Sequence, residues 1–140
     1  MIRRVGFVGI CVADQERARA FYTQALGLEI RTDVPFPAMA RGDGAPAAEP
    51  PPGRRRWIEL GVPGADTGVV LFTPEGQDHL VGSFLNASLQ VDDIEATCAT
   101  LRERGVTIVD GPARQGWGAY ALIKDSEGNT LCLAQPDGRA

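Results

Sequence analysis

Apolar runs and amphipathic segments alternate along the first third of the chain. Residues 5–12 form an apolar run with β-branched members, which predicts a strand buried on both faces. Asp14 then predicts a helix N-cap, and apolar residues recur at helical spacing until Gly27, a residue type that commonly ends helices. Residues 28–32 predict a short second strand. This stretch therefore predicts a strand, a helix and a strand in close succession.

The same order of elements returns in the second half of the chain. Residues 57–62 and 67–73 predict a hairpin, after which residues 86–91 predict a strand. Asp92 or Asp93 predicts the cap of a second helix, which Gly105 ends. Three further strands are predicted at residues 106–109, 117–124 and 130–135.

An internal duplication explains this repetition. Leu89-Gln90-Val91-Asp92-Asp93 lies 79 residues after Ile10-Cys11-Val12-Ala13-Asp14, and each segment joins a strand to a helix cap. We therefore predict an α+β fold: two tandem βαβββ modules that form a curved sheet around a central cavity. The modules span about residues 1–74 and 86–136 of a single domain.

A proline-rich loop interrupts the first module at residues 33–53. It holds six of the ten prolines and shows no hydrophobic period. Phe36 is an apolar residue that a purely solvated loop would not need. Two interpretations stand side by side: a floppy insertion, or a lid that folds over a ligand pocket.

Composition narrows the class of protein. The formal net charge of −4 and the pI near 4.9 argue against nucleic acid or an anionic membrane as partner. No run approaches the roughly 20 apolar residues of a membrane span. The three widely spaced cysteines suggest no disulfide framework. We therefore expect a cytoplasmic protein that has no membrane partner.

Three segments carry a family resemblance. The sequences VADQERARAFYTQALGLEI, VDDIEATCATLRERGV and KDSEGNTLCL resemble the two halves of the vicinal oxygen chelate superfamily. That superfamily includes glyoxalase I, the extradiol dioxygenases and the bleomycin resistance proteins. The resemblance implies the duplicated fold and a homodimer. Because proteins with this fold carry out several different chemistries, the resemblance does not imply one particular function.

The metal enzymes of that superfamily place four ligands on the strands. The resemblance puts the corresponding positions of this chain at Phe7, Leu71, Asn86 and Cys132. Phe and Leu cannot bind a metal, and Asn is a weak neutral ligand. The chain has one histidine, His79, in the connection between the modules, where a solvated loop position is expected. We therefore predict no metal and no cofactor.

Strand alternation selects the side chains expected to line the cavity. With the loop residue added, the predicted ligand-binding set is Phe7, Cys11, Phe36, Trp57, Glu59, Leu71, Asn86, Ser88, Gln90, Trp117 and Cys132. Such a lining, aromatic with a few orienting polar groups, is typical of ligand pockets. A second interpretation makes Phe7 and Trp57 plain core residues. The cysteines Cys11 and Cys132 are expected to be inert apolar residues rather than nucleophiles.

Two main functional hypotheses follow. The first is a metal-independent protein of the drug-resistance or ligand-sequestering kind, which holds a hydrophobic or planar small molecule. The alternative is an enzyme: a glyoxalase-like lyase, isomerase or dioxygenase with a divalent metal at non-standard ligands, or a metal-free acid–base catalyst that uses Glu59. Glu59 could instead pair with Arg54–Arg56 or with a cationic ligand. Nothing specific favours a third possibility, a structural or partner-binding module.

Overall fold

Two four-stranded mixed sheets, each with one helix, form the protein in a computed structural model that describes residues 1–35 and 56–138. The first module contains β1 (Phe7–Ile10), α1 (Gln15–Ala20), β2 (Glu29–Pro35), β3 (Arg56–Gly61) and β4 (Gly68–Leu71). A π-helical turn at Phe21–Ala25 extends α1. The strands lie in the order β1-β4-β3-β2, with β1 and β4 parallel.

The second module repeats this arrangement. It contains β5 (Phe84–Gln90), α2 (Ile94–Glu103), β6 (Ile108–Gln115), β7 (Gly118–Lys124) and β8 (Thr130–Pro136). A short 3-10 helix at Asp78–Leu80 precedes it. The strand order β5-β8-β7-β6 matches that of the first sheet, and β5 and β8 are again parallel. The predicted α+β fold of two tandem βαβββ modules is confirmed.

Both helices begin where the sequence predicts. The Asp14 side chain accepts a hydrogen bond from the backbone N–H of Arg17 at 2.9 Å, and Asp93 accepts one from Ala96 at 3.0 Å. Gly27 follows α1 and its π-helical turn with a φ of +77°, a conformation that favours glycine. No helix within residues 1–35 and 56–138 has the length and apolarity needed to cross a membrane.

One hydrophobic cluster joins the two modules. Ile10, Tyr22 and Leu71 of the first module belong to the same buried cluster as Cys98 and Leu133 of the second. The cluster occupies the helix-bearing side of both sheets, because it includes the buried residues of α1 and α2. The opposite side of each sheet carries no helix, and we call it the helix-free face.

A buried polar network also connects the modules, and sequence reasoning did not predict it. It arises in the turn between β7 and β8, where the Glu127 side chain is 0% exposed. Glu127 Oε1 accepts hydrogen bonds from the backbone N–H groups of Ala13 and Asp14 at 2.9 and 2.8 Å, and Oε2 accepts one from Arg17 Nε at 2.7 Å. The second module therefore fixes the start of α1.

Two more side chains of that turn complete the network. Asp125 Oδ2 accepts a hydrogen bond from the Tyr22 hydroxyl at 2.7 Å. Asn129 Nδ2 donates to the backbone oxygen of Cys11 at 3.0 Å, and its Oδ1 accepts from the N–H of Gly82 at 2.7 Å. Asn129 is fully buried, so each of these partners satisfies a group that water cannot reach.

Candidate functional site

The helix-free face of the first sheet follows from the strand register. Ile10 pairs with Leu71 and Gly9 pairs with Val70 in the parallel ladder of β1 and β4. Ile10 and Leu71 both lie in the hydrophobic cluster, so their strand neighbours point to the other face. Val70 is 2% exposed yet lies outside that cluster. The helix-free face therefore also contains a buried apolar side chain, which does not belong to the main core.

The expectation that Leu71 faces the ligand site is wrong. Leu71 is 0% exposed and packs in the core on the helix-bearing side, and Val69 packs against the same core. The structural counterpart of Cys132 is instead Val70: Gly9 pairs with Val70 just as Ser88, its equivalent in the second module, pairs with Cys132. A shift of one residue along a strand moves a side chain to the opposite face.

Three aromatic rings stand together on the helix-free face of the first sheet. The ring centroids of Phe7 and Trp57 are 5.5 Å apart at an interplanar angle of 86°. Those of Trp57 and Phe72 are 6.2 Å apart at 45°. Both distances fall within the range of favourable aromatic pairs. Phe7 remains 47% exposed, so its ring can receive a further partner.

Glu59 places a carboxylate beside these rings. It pairs with Val70 on the same face, and its Oε1 lies 2.6 Å from the position that a Cβ would take at Gly68. Only glycine at position 68 leaves room for the carboxylate in this position. Within the described part of the chain Glu59 has no hydrogen-bond or ion-pair partner. Its exposure is intermediate, so solvent still reaches it.

The arginine that could have paired with Glu59 binds elsewhere. Arg56 Nε donates to Asp33 Oδ1 at 2.9 Å, and Arg56 also forms an ion pair with Glu16. Arg54 and Arg55 lie outside the described residues. The sequence suggests Arg54–Arg56 or a cationic ligand as partner of Glu59, and of these arginines Arg56 makes no contact with it among the described residues.

The predicted polar residues occupy the helix-free face of the second sheet. Ser88 pairs with Cys132, whereas the neighbouring pair, Leu89 and Leu133, packs with the core. Asn86, Ser88 and Gln90 are exposed at alternate positions of β5. Trp117 lies in the turn between β6 and β7 and is 49% exposed. Asn86, Ser88, Gln90 and Cys132 therefore lie on the helix-free face, and their contact with a ligand stays a prediction.

The predicted residues thus form two groups, one in each module. No hydrogen bond, ion pair or ring contact among the described residues joins Asn86, Ser88, Gln90, Trp117 or Cys132 to Phe7, Trp57 or Glu59. Phe36, the predicted loop contact, lies outside the described residues. The structure therefore defines each group separately, and a shared role for them remains a prediction.

The cysteine thiols near these groups are not activated. Burial raises the pKa of Cys11, and a hydrogen bond with Thr73 offsets only part of that effect. Burial likewise raises the pKa of Cys132. Since the thiolate is the nucleophile, a raised pKa disfavours covalent chemistry at both residues.

The donor set at the superfamily's ligand positions does not fit a divalent metal. With the β4 position corrected, these positions hold Phe7, Val70, Asn86 and Cys132, which offer one amide and one protonated thiol. Among residues 1–35 and 56–138, no three His, Cys, Asp or Glu side chains are grouped so that they could hold a metal ion. His79 is exposed in the 3-10 turn.

A separate cavity of about 430 Å³ lies between the modules. Its lining is mostly aliphatic and comes largely from the helix-bearing side, with Val8, Leu28 and Val69 from one module and Leu101 and Leu133 from the other. Ser88 and Gln90 of the predicted set also border it. Of the described aromatic residues in that set, Phe7, Trp57 and Trp117 do not border it, so this cavity differs from the expected pocket.

The duplicated βαβββ architecture defines the class of protein. Residues 4–133 match the model of the Glyoxalase/Bleomycin resistance protein/Dioxygenase superfamily, and the chain belongs to that family. This agrees with the resemblance carried by the segments at the two helix caps and by KDSEGNTLCL, which spans the turn between β7 and β8.

Solved structures and a curated relative extend the comparison. An antibiotic binding protein from Streptomyces sp. CB03234, TnmS3, is 32% identical with a TM-score of 0.73, covering 97% of this chain and 98% of its own. A superfamily member from Sphaerobacter thermophilus is 31% identical with a TM-score of 0.74, covering 96% and 98%. Bovine mitochondrial methylmalonyl-CoA epimerase is 28% identical over 122 residues, covering 81% of this chain and 61% of its own.

Proposed function

We propose that this protein binds a planar, hydrophobic small molecule without a metal ion, in a drug-resistance or ligand-sequestering role. The observation that carries the proposal is the aromatic row of Phe7, Trp57 and Phe72 on the helix-free face of the first sheet. We place this role in the cytoplasm, where the three cysteines, all free in the structure, would stay reduced.

Stacking supplies the physical basis for this role. An aromatic contact contributes roughly 0.5–1.5 kcal/mol beyond the apolar area that it buries. The partly exposed rings of Phe7 and Trp57 offer surface to a flat ligand. The residues at the superfamily's four ligand positions do not fit a divalent metal, which supports binding through such contacts.

The comparisons support a binding role. One similar structure is that of an antibiotic binding protein, and its likeness extends over nearly the full length of both chains. The family itself includes both resistance proteins and enzymes, so membership alone does not choose between these roles. The choice depends on the residues of the site.

Removing the indole of Trp57 tests the proposed site. With acridine as a neutral planar probe, we expect Trp57→Ala to weaken binding by more than about 1 kcal/mol, roughly fivefold or more in Kd. Isothermal titration calorimetry measures the affinity, and thermal unfolding checks that the variant remains folded. Leu80→Ala is the matched control, because it removes an exposed apolar side chain from the 3-10 turn.

Two results would count against this site. If Trp57→Ala and the wild type bound acridine with equal affinity, the aromatic row would not be part of the binding surface. If Val69→Phe then abolished binding while Trp57→Ala did not, the ligand would occupy the aliphatic cavity that Val69 lines.

A metal-free acid–base enzyme is the second candidate. Glu59 is a carboxylate without a partner among the described residues, and the chain resembles an epimerase in part of its length. A general base must lie within hydrogen-bond reach of the proton it takes. This hypothesis requires that a bound ligand exchange a carbon-bound proton with solvent deuterium and that Glu59→Gln stop the exchange.

We also propose that the protein is a homodimer. Both helix-free faces leave large apolar groups exposed, among them Phe7 and Phe84, and β1 and β5 are edge strands of their sheets. We therefore expect light scattering to give twice the chain mass of 14.9 kDa at micromolar concentration. A particle of the single-chain mass throughout that range would contradict the proposal.

A further inference from the structure

We propose that the ligand of the aromatic face is a cation, whose positive charge lies between the Glu59 carboxylate and the rings of Phe7 and Trp57. This inference rests on the proposed binding function and specifies the chemical class of its ligand: a planar aromatic cation, or a protonated amine attached to a flat ring system.

The register of the sheet brings the carboxylate and the rings together. Phe7 pairs with Gly68 in the parallel ladder, and the Glu59 carboxylate occupies the space above Gly68 where a side chain would otherwise lie. Trp57 precedes Glu59 by two residues on β3 and therefore points to the same face. The Glu59 carboxylate therefore lies on the same face as both rings. It sits above Gly68, the residue that pairs with Phe7, and two positions from Trp57 on its own strand.

The nearby cationic side chains are bound to other groups. Arg56 is held by Asp33 and Glu16. Arg31 lies over Gly61, two residues from Glu59 on β3, but its Nη2 donates to the backbone oxygens of Val62 and Ala65. Neither guanidinium forms an ion pair with Glu59 within residues 1–35 and 56–138. Among these residues no side chain neutralises the Glu59 carboxylate, so we infer that its charge is available to a ligand.

This arrangement favours a cation over a neutral molecule of the same shape. A neutral ring laid over Glu59 would remove water from a carboxylate and give no ion pair in return, which costs free energy. A cation in the same place forms that pair, and it also interacts favourably with the faces of Trp and Phe. The site should therefore discriminate by charge as well as by shape.

A pair of isosteric probes tests the inference directly. N-methylacridinium carries a permanent positive charge, whereas acridine is uncharged when the pH is well above its own pKa. We expect the wild-type protein to bind the cation about tenfold more tightly by calorimetry, the range of a charge-assisted contact with cation–π support. Glu59→Gln should remove most of this preference and leave the acridine affinity within about twofold.

The control is Glu103→Gln, which removes the same charge from an exposed position on α2 and should change neither affinity. Equal binding of both probes by the wild type, or an equal loss of both in Glu59→Gln, would overturn the cation inference and leave the binding function intact. If neither probe binds, the proposed function fails together with the inference. Since the wild-type comparison requires no variant, a folding defect in Glu59→Gln cannot obscure the answer.

Discussion

Replacement of Glu127 by alanine is expected to lower the free energy of unfolding by about 3 kcal/mol, because hydrogen bonds to a buried charged group contribute roughly 1.5–3 kcal/mol each and are not additive. The carboxylate accepts bonds from Ala13, Asp14 and Arg17, all in the other module. Urea denaturation followed by circular dichroism measures the loss. The exposed Glu103→Ala is the control and should fall within about 0.5 kcal/mol of the wild type.

The contribution of the Glu127 charge should depend on pH. Burial by itself raises the pKa of Glu127, but the hydrogen bonds from Arg17, the Asp14 N–H and Ser126 outweigh it, so the pKa lies below the ordinary value of 4.5 for a glutamate. The stability due to the charge is therefore present above the unfolded-state pKa and is lost as the pH falls through the lower folded-state value. The wild type and Glu127→Gln should converge in stability at low pH. A difference that stays constant below pH 4.5 would contradict this account.

Replacement of Gly118 by alanine is expected to destabilise the second module by roughly 2–5 kcal/mol, through backbone strain and overpacking together. Gly118 opens β7 with a φ of +150°, and a Cβ there would lie 2.2 Å from the backbone oxygen of Gln135. A backbone atom in a paired strand cannot move aside as a flexible side chain can. Because Trp117 precedes this residue, the change should also displace its ring.

Gly116 provides the matched control for that substitution. It lies in the same turn, and a Cβ built there meets nothing within 4 Å. Gly116→Ala should therefore unfold within about 0.5 kcal/mol of the wild type. Equal midpoints for the two alanine variants in urea would show that the close approach at Gly118 does not limit stability.

Much of the fold could be predicted from the sequence because its signals are local. Asp14 and Asp93 cap their helices as expected, and the offset between the two modules identified the repeat before any pairing was known. The length of β6 is not predictable in the same way. The sequence predicts a strand at residues 106–109, whereas β6 extends over Ile108–Gln115, where the sequence shows no alternation and the register shifts twice. The contact of Glu127 with Arg17 spans 110 residues, a separation at which no local pattern carries information.

The candidate site shows the same division between local and non-local information. Polar Asn86, Ser88 and Gln90 alternate with apolar residues in β5, so the sequence predicts the face on which Ser88 lies, and Cys132 pairs with Ser88 there. β4 begins with an uninterrupted apolar run, in which either face can be the buried one, and Leu71 was assigned to the wrong side. Only the pairing of β4 with β1 resolves this choice, and that pairing brings Val70 and Phe72 into the site.

Native mass spectrometry of the protein with acridine, before and after treatment with a chelator, tests metal-free binding most directly. We predict one probe molecule bound per chain in both samples and no stoichiometric divalent metal, because the aromatic row of Phe7, Trp57 and Phe72 provides the binding surface. If chelation abolished binding and a divalent ion restored it, the protein would use metal ligands at other positions and the enzyme hypothesis would take precedence.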